Sequence, residues 1–419
     1  MFQRRHLFPA FILLVVMLYL VSVAAPAVTL AAPEPIIQVS DPALPGPYQV
    51  GFQRVKVTRP DATQFDAMFY YPAGANGRNA AYDGSGAPYP AVVFGHGFLT
   101  PVRMYIGNAQ HLVSWGYFML LPMSAMELFP SHPAFADDFS YSLDYLEAQN
   151  ANSASFLYQQ IDTDHFGASG HSMGGGVSIL AAAQDSRIQA VLNLAAAETF
   201  PDSAIDAMAG LHVPIALLAG TGDIIAPPQR HQQPMYDNGH APRLLAILDG
   251  ANHCSFAAEL RACGGTMDPA YQLQITNRWT TAFFNLYLKG KSAYATYIWG
   301  PEMLSEPDVA TQFDAGFTLT PFQQTKTGFP GDAVSYSLTL TNTGPTATRF
   351  TLTAKESAWP TALSPVHTPL LNPGASITIT ALVTIPLNPN PPSDTALIVA
   401  TTDLDGLTVQ GGLLTTQLP

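Results

Sequence analysis

The feature that most constrains the fold is a serine between glycines, in the pentapeptide Gly-His-Ser-Met-Gly at residues 170–174. The apolar stretch before it predicts a strand, and the stretch rich in small residues after it predicts a helix. So tight a turn from strand to helix admits only small residues two positions either side of its apex. The pattern predicts that Ser172 is lifted clear of a sheet at the N-terminus of a helix. A glycine-rich turn without chemistry is the alternative for the pentapeptide alone.

Strand-like and helix-like segments alternate between about residues 48 and 304. Short apolar runs that predict buried strands include PYPAVVFG, YFMLLP, IQAVLNLAA and VPIALLAG, and helices are predicted near residues 104–114, 135–148, 228–237 and 269–289. Alternation of this kind is typical of a parallel sheet whose two faces are covered by helices. The predicted fold class is therefore α/β, with a mostly parallel sheet flanked by helices.

The pattern changes near residue 305, where helical periodicity ends and threonine-rich alternating segments begin. Val334, Tyr336, Leu338 and Leu340 alternate with polar residues, as do the apolar residues between Ile377 and Ile385. Period-two patterns separated by turn signals such as NTGPT predict a small antiparallel β-sandwich. The predicted organisation is a signal peptide (1–27), an extended lead-in (28–47), a catalytic domain (48–304), a linker (305–316) and an Ig-like sandwich (317–419).

The first residues have the layout of an export signal. Arg4, Arg5 and His6 precede an apolar run that ends near Val23, and small residues follow it. This layout predicts cleavage and secretion, with no stable membrane span after processing. If the segment is not cleaved, it is long enough to anchor the chain in a membrane.

The charge balance argues against one class of partner. Charged residues make up only 11% of the 419 residues, and the formal net charge is −13. Binding to a nucleic acid requires clustered lysine and arginine, and no basic run follows the N-terminus. We therefore expect no nucleic-acid partner, and we expect a monomer.

A serine hydroxyl needs a base to take its proton and an acid to orient that base. In a fold of this type the acid and then the histidine follow the serine in chain order, each after a later strand. Asp223 directly follows the strand IALLAGTG, and His253 directly follows LLAILDGAN. We predict a triad of Ser172, Asp223 and His253, with Asp249 as the nearest competing acid.

The oxyanion of a tetrahedral intermediate also needs hydrogen-bond donors. The backbone N–H groups of Met173 and of Phe98, in the turn FGHGFLT, are the predicted donors. Phe98, His171 and Met173 are the predicted substrate contacts, and packing of the Phe98 ring against the core is the alternative. For His96 and His171 we favour packing or hydrogen bonding over the role of a base.

The only two cysteines, Cys254 and Cys263, lie close together directly after His253. In an exported chain they are expected to form a disulfide, and two unlinked thiols are the alternative. The sequence contains no metal cluster, phosphate-binding loop or dinucleotide fingerprint, so we expect neither a metal nor another cofactor.

Residues from about 48 to 290 resemble the α/β-hydrolase superfamily. The resemblance rests on PYPAVVFGHGF, LDYLEAQN, QQIDTDHFGASGHSMGGG, AGTGDIIAPP and GANHCSF, in that order. Within the superfamily the chain is similar to the dienelactone hydrolase-like branch, which includes chlorophyllases, platelet-activating-factor acetylhydrolase-like enzymes and bacterial cutinases or polyester hydrolases. The resemblance implies an esterase whose nucleophile, acid and base are Ser172, Asp223 and His253. The C-terminal part resembles the Ig-like modules appended to exported bacterial enzymes.

The chain departs from the polyester hydrolases at two positions. Those enzymes typically have tryptophan before the nucleophile and tyrosine in the oxyanion turn, where this chain has His171 and Phe98. The gaps between predicted elements are too short for a large helical lid, which suggests an open site for short-chain or polymeric esters. The competing hypothesis is an inactive hydrolase scaffold that acts as a binding protein, with the sandwich as a surface adhesin.

Overall fold

The structure is a computed structural model that describes residues 40–257, 263–355, 357–403 and 409–419. The predicted signal peptide and most of the predicted lead-in lie outside these residues. The large sheet contains the strands Gln49–Thr58 (β1), Gln64–Ala73 (β2), Gly77–Arg78 (β3), Tyr89–Gly95 (β4), Phe118–Pro122 (β5), Ile161–His171 (β6), Ile188–Leu194 (β7), Ile215–Gly220 (β8), Arg243–Leu248 (β9) and Val309–Asp314 (β10).

The order of strands across this sheet is β10-β9-β8-β7-β6-β4-β5-β2-β1-β3. The six central strands from β5 to β9 run parallel to one another, while β2 and β10 pair antiparallel with the strands beside them. The carboxyl ends of the parallel strands meet at one edge of the sheet, which is where open α/β sheets hold their sites. The α/β prediction is confirmed.

Helices cover both faces of the sheet. They are Ile106–Ser114 (α1), His132–Ala151 (α2), Met173–Gln184 (α3), Ala204–Ala207 (α4), Gln232–Asn238 (α5), Pro269–Tyr287 (α6), Thr296–Trp299 (α7) and Pro301–Leu304 (α8). In β4, Val92 and Phe94 belong to the apolar cluster that includes α1 and α6, whereas Ala91 and Val93 belong to the one that includes α2 and α3. Because alternate side chains point to opposite faces, a strand buried on both faces must be apolar at every position.

The C-terminal strands form two further sheets. They are Phe317–Thr320 (β11), Gln323–Thr327 (β12), Ala333–Asn342 (β13), Phe350–Lys355 (β14), Thr361–Ser364 (β15), Ser376–Thr384 (β16), Ser393–Thr402 (β17) and Val409–Gln417 (β18). One sheet has the order β11-β13-β16-β15 and the other β12-β18-β17-β14.

The residues predicted to face the sandwich core lie opposite one another. Tyr336 pairs with Ala381 and Leu338 with Ile379, and these side chains are buried. The Tyr336 hydroxyl lies 2.8 Å from the Thr416 hydroxyl of the second sheet, which joins the two inner faces. The additional β-sandwich is therefore confirmed, whereas its Ig-like character stays a prediction.

One strand falls where the sequence suggests a linker. Residues 309–314 form β10, which pairs antiparallel with β9 along its whole length. The Phe313 ring lies 6.0 Å from Trp299 and 6.3 Å from Phe322, so apolar contacts join the large sheet to the start of the sandwich. Polar residues alternate along β10 because it is an edge strand, and this weak pattern does not distinguish it from a linker. The domain boundaries themselves stay a prediction.

No helix among the described residues is long and apolar enough to cross a membrane.

Candidate active site

Ser172 occupies a strained turn between β6 and α3. Its backbone has φ 56° and ψ −121°, a conformation that a residue with a side chain rarely adopts. Hydrogen bonds on both sides hold it: the Ser172 N–H donates to Leu194 O, and the Ser172 carbonyl accepts from the N–H of Gly175 and Ala197. The surrounding structure thus fixes the serine at the N-terminus of α3, as the pentapeptide predicts.

The glycines around Ser172 are required by close packing of backbones. A Cβ on Gly170 would lie 2.2 Å from Gly174 O, and one on Gly174 would lie 2.1 Å from Gly95 O. The first turn of α3 therefore rests directly on the ends of β6 and β4. Any larger residue at these positions would push the helix away from the sheet and move Ser172 with it.

Asp223 and His253 form a buried hydrogen-bonded pair after β8 and β9. His253 Nδ1 lies 2.7 Å from Asp223 Oδ2, and Asp223 Oδ1 accepts from the N–H groups of Ile225 and Ala226 at 2.8 Å. Burial raises the pKa of Asp223, but the hydrogen bonds from His253 and the two backbone groups outweigh it and hold the pKa below its ordinary value. An ionised carboxylate places the ring proton on Nδ1, so Nε2 of the neutral imidazole is free to accept a proton.

The loop that carries His253 is fixed by a side chain from α6. The buried Gln272 accepts a hydrogen bond from the Asn252 N–H at 3.0 Å and donates to the Asn252 carbonyl at 2.8 Å. Cys254 forms a disulfide with Cys263, so the residue after His253 is covalently tied to the segment that leads into α6. The predicted disulfide is confirmed, and both constraints limit the positions that the His253 ring can take.

His171 connects three loops of the site. Its Nε2 donates to the His253 carbonyl at 2.9 Å, and its Nδ1 accepts from the Tyr105 hydroxyl at 2.9 Å. That hydroxyl in turn accepts from the Gly97 N–H at 2.9 Å. Burial, together with the neighbouring His253, lowers the pKa of His171 to about 3, so the ring is neutral and its tautomer is fixed by these partners.

This network places His253 beside the serine turn. His171 directly precedes Ser172, and its ring centroid lies 4.6 Å from that of His253. Only 2% of His171 is exposed, and both ring nitrogens have internal partners. Its observed contacts are therefore with the protein interior, and they give no support to the predicted contact with substrate.

The two predicted oxyanion donors lie on the segments that this network holds. Within the described parts of the chain, the backbone N–H groups of Phe98 and Met173 have no hydrogen-bond acceptor. The Phe98 ring is 48% exposed and is therefore not packed into the core, whereas the Met173 side chain is buried. Both roles, as donors and as substrate contacts, stay predictions.

The competing acid and the second histidine have other partners. Asp249 Oδ1 accepts a hydrogen bond from the Thr221 hydroxyl at 2.9 Å, while the carboxylate bonded to His253 is that of Asp223. His96 is buried, with Nε2 2.7 Å from the Ser124 carbonyl and its ring 5.0 Å from that of Phe135. Its Nδ1 lies 2.8 Å from the Gly97 carbonyl, in the turn that carries Phe98.

Several residues that hold or surround the site have no signal in the sequence. Glu198, a charge with no evident role in the sequence, accepts from the Ile205 N–H and so caps α4, and its own N–H donates to His231 Nδ1. Tyr105 and Gln272 gave no sequence signal, because their partners are distant in the chain.

Exposed apolar side chains surround this edge of the sheet. They follow β4, β5, β7 and β8, whose carboxyl ends meet here. These side chains form an apolar rim, of which the sequence predicts Phe98 as a substrate contact. Its exposed members are Phe98, Leu99, Met126, Leu128, Phe129, Phe200, Ile224 and Ile225.

Comparison with known families gives one match. A family model described as PETase, PET hydrolase-like, matches residues 28–298, about two-thirds of the chain. No curated protein matches the chain.

Proposed function

We propose a function from one premise, which is that this chain belongs to the PET hydrolase-like family. We infer that it is a secreted serine esterase, which hydrolyses carboxylic esters through an acyl-enzyme intermediate. Ser172 is the nucleophile, His253 the general base and Asp223 the acid that orients it. Membership of this family supports ester hydrolysis in general, and the assignment of each residue is the proposal.

The observation that carries the proposal is the buried pair of Asp223 and His253, joined through His171 to the strained turn at Ser172. A carboxylate on Nδ1 leaves Nε2 available to take a proton, which is what activation of a serine hydroxyl requires. A histidine with a purely structural role would need neither a carboxylate on Nδ1 nor a strained serine nearby. The presence of both features together therefore supports catalysis.

In the first half-reaction the Ser172 hydroxyl oxygen would attack the ester carbonyl carbon while its proton passes to His253. The carbonyl oxygen would gain the negative charge and accept hydrogen bonds from the N–H groups of Phe98 and Met173. When the intermediate collapses, the bond to the alcohol oxygen breaks and the alcohol leaves with the proton from His253. The acyl group then remains bonded to Ser172.

In the second half-reaction water would attack the acyl carbon and give a proton to His253. Collapse of the second tetrahedral intermediate breaks the bond to the Ser172 oxygen, which recovers its proton from the imidazole. The carboxylic acid is released and the enzyme returns to its starting state. Asp223 keeps its charge throughout and stabilises the imidazolium each time it forms.

The apolar rim supports a short-chain or polymeric ester as substrate. Exposed side chains such as Phe129, Phe200 and Ile224 would lie against an apolar chain while the ester bond reaches Ser172. The segment between β7 and β8 contains only the four-residue α4 and one short 3₁₀ turn. An open site of this kind suits esters presented at a surface, and the polymer itself is part of the proposal.

The test compares the purified protein with Ser172→Ala on a short p-nitrophenyl ester. Removal of a triad nucleophile is expected to lower kcat by roughly 10⁴-fold. Ser186→Ala, the same change at an exposed serine, serves as the matched control and should retain full activity. Equal rates for the parent chain and Ser172→Ala would refute the esterase and favour a binding protein on this scaffold.

Secretion and a monomeric state belong to the same proposal. The disulfide between Cys254 and Cys263 supports export, because such bonds persist in oxidising compartments. Mass spectrometry of the N-terminus of the secreted protein tests cleavage after the predicted signal peptide, and light scattering of the purified chain tests the monomer. The sandwich is proposed as a spacer or adhesin.

A further inference from the structure

A cavity lies beside the turn that carries Phe98. Its volume is about 280 Å³, and it lies among β1, β2, the segment after β5 and the start of α1. We call it the methionine pocket, defined by Phe52, Met68, Tyr70, Pro101, Val102, Arg103, Ile106, Met123 and Met126. None of the proposed triad or oxyanion residues belongs to it, and Met126 is the one residue that it shares with the apolar rim.

Most of the wall of this cavity is apolar and adaptable. Three methionines contribute flexible thioether side chains, which adjust to the shape of a ligand more readily than branched side chains do. The Phe52 and Tyr70 rings lie 5.8 Å apart on one side. A volume of about 280 Å³ lies near the lower end of the range for small-molecule pockets, about 300–1,000 Å³, so a short aliphatic chain fits.

Two polar groups of the pocket have no polar partner among the described residues. Arg103 is exposed, and within the described residues its guanidinium forms neither a hydrogen bond nor an ion pair. Tyr70 is buried, and in the same parts of the chain no hydrogen bond joins its hydroxyl to the protein. A cation and a hydroxyl donor beside an apolar cavity are complementary to a carboxylate that carries an apolar body.

We propose that the methionine pocket binds an apolar monocarboxylate, with the carboxylate on Arg103 and the apolar body among Met68, Met123 and Met126. This is the chemical class of the acid that ester hydrolysis releases, so the site would retain or sense product next to the active site. That link rests on the proposed function, whereas the binding site itself does not. The Arg103 guanidinium supplies this positive charge in a chain whose formal net charge is −13.

The experiment is a titration of Ser172→Ala, labelled with ¹³C at the methionine methyl groups, with octanoate. The Ser172→Ala background keeps turnover out of the measurement, so failure of the esterase proposal does not affect the result. Saturable shifts are expected for Met68, Met123 and Met126, while the buried Met208 and Met235 stay unchanged. Met173 reports separately on the proposed active site.

Charge recognition is tested by a matched pair of substitutions. Arg103→Gln should weaken octanoate binding about fivefold, and Arg349→Gln, at an exposed arginine of the sandwich, should leave it unchanged. In the Ser172→Ala chain, the uncharged 1-octanol should bind more weakly than octanoate does. Once Arg103→Gln is added to that chain, the two compounds should bind equally well. Absence of shifts in the three pocket methionines, shifts confined to Met173, or an affinity insensitive to Arg103→Gln would each overturn the proposal.

Discussion

At the scale of single residues, His171 shows how one buried side chain can align separate loops. It joins the Tyr105 hydroxyl to the His253 carbonyl, and Tyr105 also binds the Gly97 N–H of the turn that precedes Phe98. This function depends on a neutral ring, because Nδ1 must accept while Nε2 donates. Protonation of His171 would therefore remove the acceptor to which the Tyr105 hydroxyl donates.

His171 predicts a dependence of stability on pH. The pKa of His171 is lowered to about 3 in the folded chain, against about 6.5 when unfolded, so between these values the unfolded state binds more protons. Stability should therefore fall as pH falls below about 6.5, by up to about 1.4 kcal/mol per pH unit. Urea denaturation at pH 7 and pH 5 measures this loss. His171→Gln, which cannot titrate, should show a loss smaller by up to about 2 kcal/mol, and identical losses in both chains would contradict the assignment.

At the scale of elements, the position of Ser172 depends on how closely α3 approaches the sheet. Gly174 on the helix faces Gly95 of β4, and Gly176 faces the Ala197 carbonyl after β7. The helix thus touches backbone at the ends of β4 and β7, the two strands that flank β6. Backbone atoms cannot move aside as flexible side chains can, so these positions tolerate no Cβ.

Gly174→Ala should destabilise the protein by about 3 kcal/mol or more, since the new methyl group meets the Gly95 carbonyl at 2.1 Å. Thermal unfolding should show a melting temperature several degrees lower, and activity should fall because the serine turn moves with the helix. Gly210→Ala is the matched control, since none of the described residues lies within 4 Å of a Cβ there. Equal melting temperatures for the two variants would show that α3 can shift without cost.

At the scale of the whole molecule, β10 and the residues beside it join the large sheet to the sandwich. Gln233 and Gln312 exchange two side-chain hydrogen bonds, at 3.0 and 2.8 Å, between α5 and β10. The apolar cluster around α1 and α6 extends without interruption to Phe317 and Leu340 of the sandwich. The end of the large sheet therefore lies beyond residue 305, within the range that the sequence assigns to a linker.

Two truncations test this interpretation. A chain that ends at Ser305 loses β10, which exposes the edge of β9 and removes Phe313 from Trp299. A chain that ends at Gly316 keeps these contacts and loses only the sandwich strands. The chain that ends at Gly316 should melt several degrees higher than the chain that ends at Ser305 and should retain more esterase activity. The full chain is the reference. If both chains melt at the same temperature, β10 contributes nothing to the catalytic part.

The sequence by itself determined what depends on neighbours along the chain. Strand and helix periods, and the glycines of the serine turn, are local patterns, so the α/β class, the added sandwich and the candidate order Ser172, Asp223, His253 could all be predicted. Only the tertiary structure decided how distant segments meet. His171 and His253 are 82 positions apart, and Tyr117 and Asn285 are 168 apart, so no local pattern announces their contact. The methionine pocket has no sequence signal for the same reason, because a cavity arises from through-space distances that sequence spacing does not encode. Strand β10 differs, because its weak edge-strand pattern resembles that of a linker.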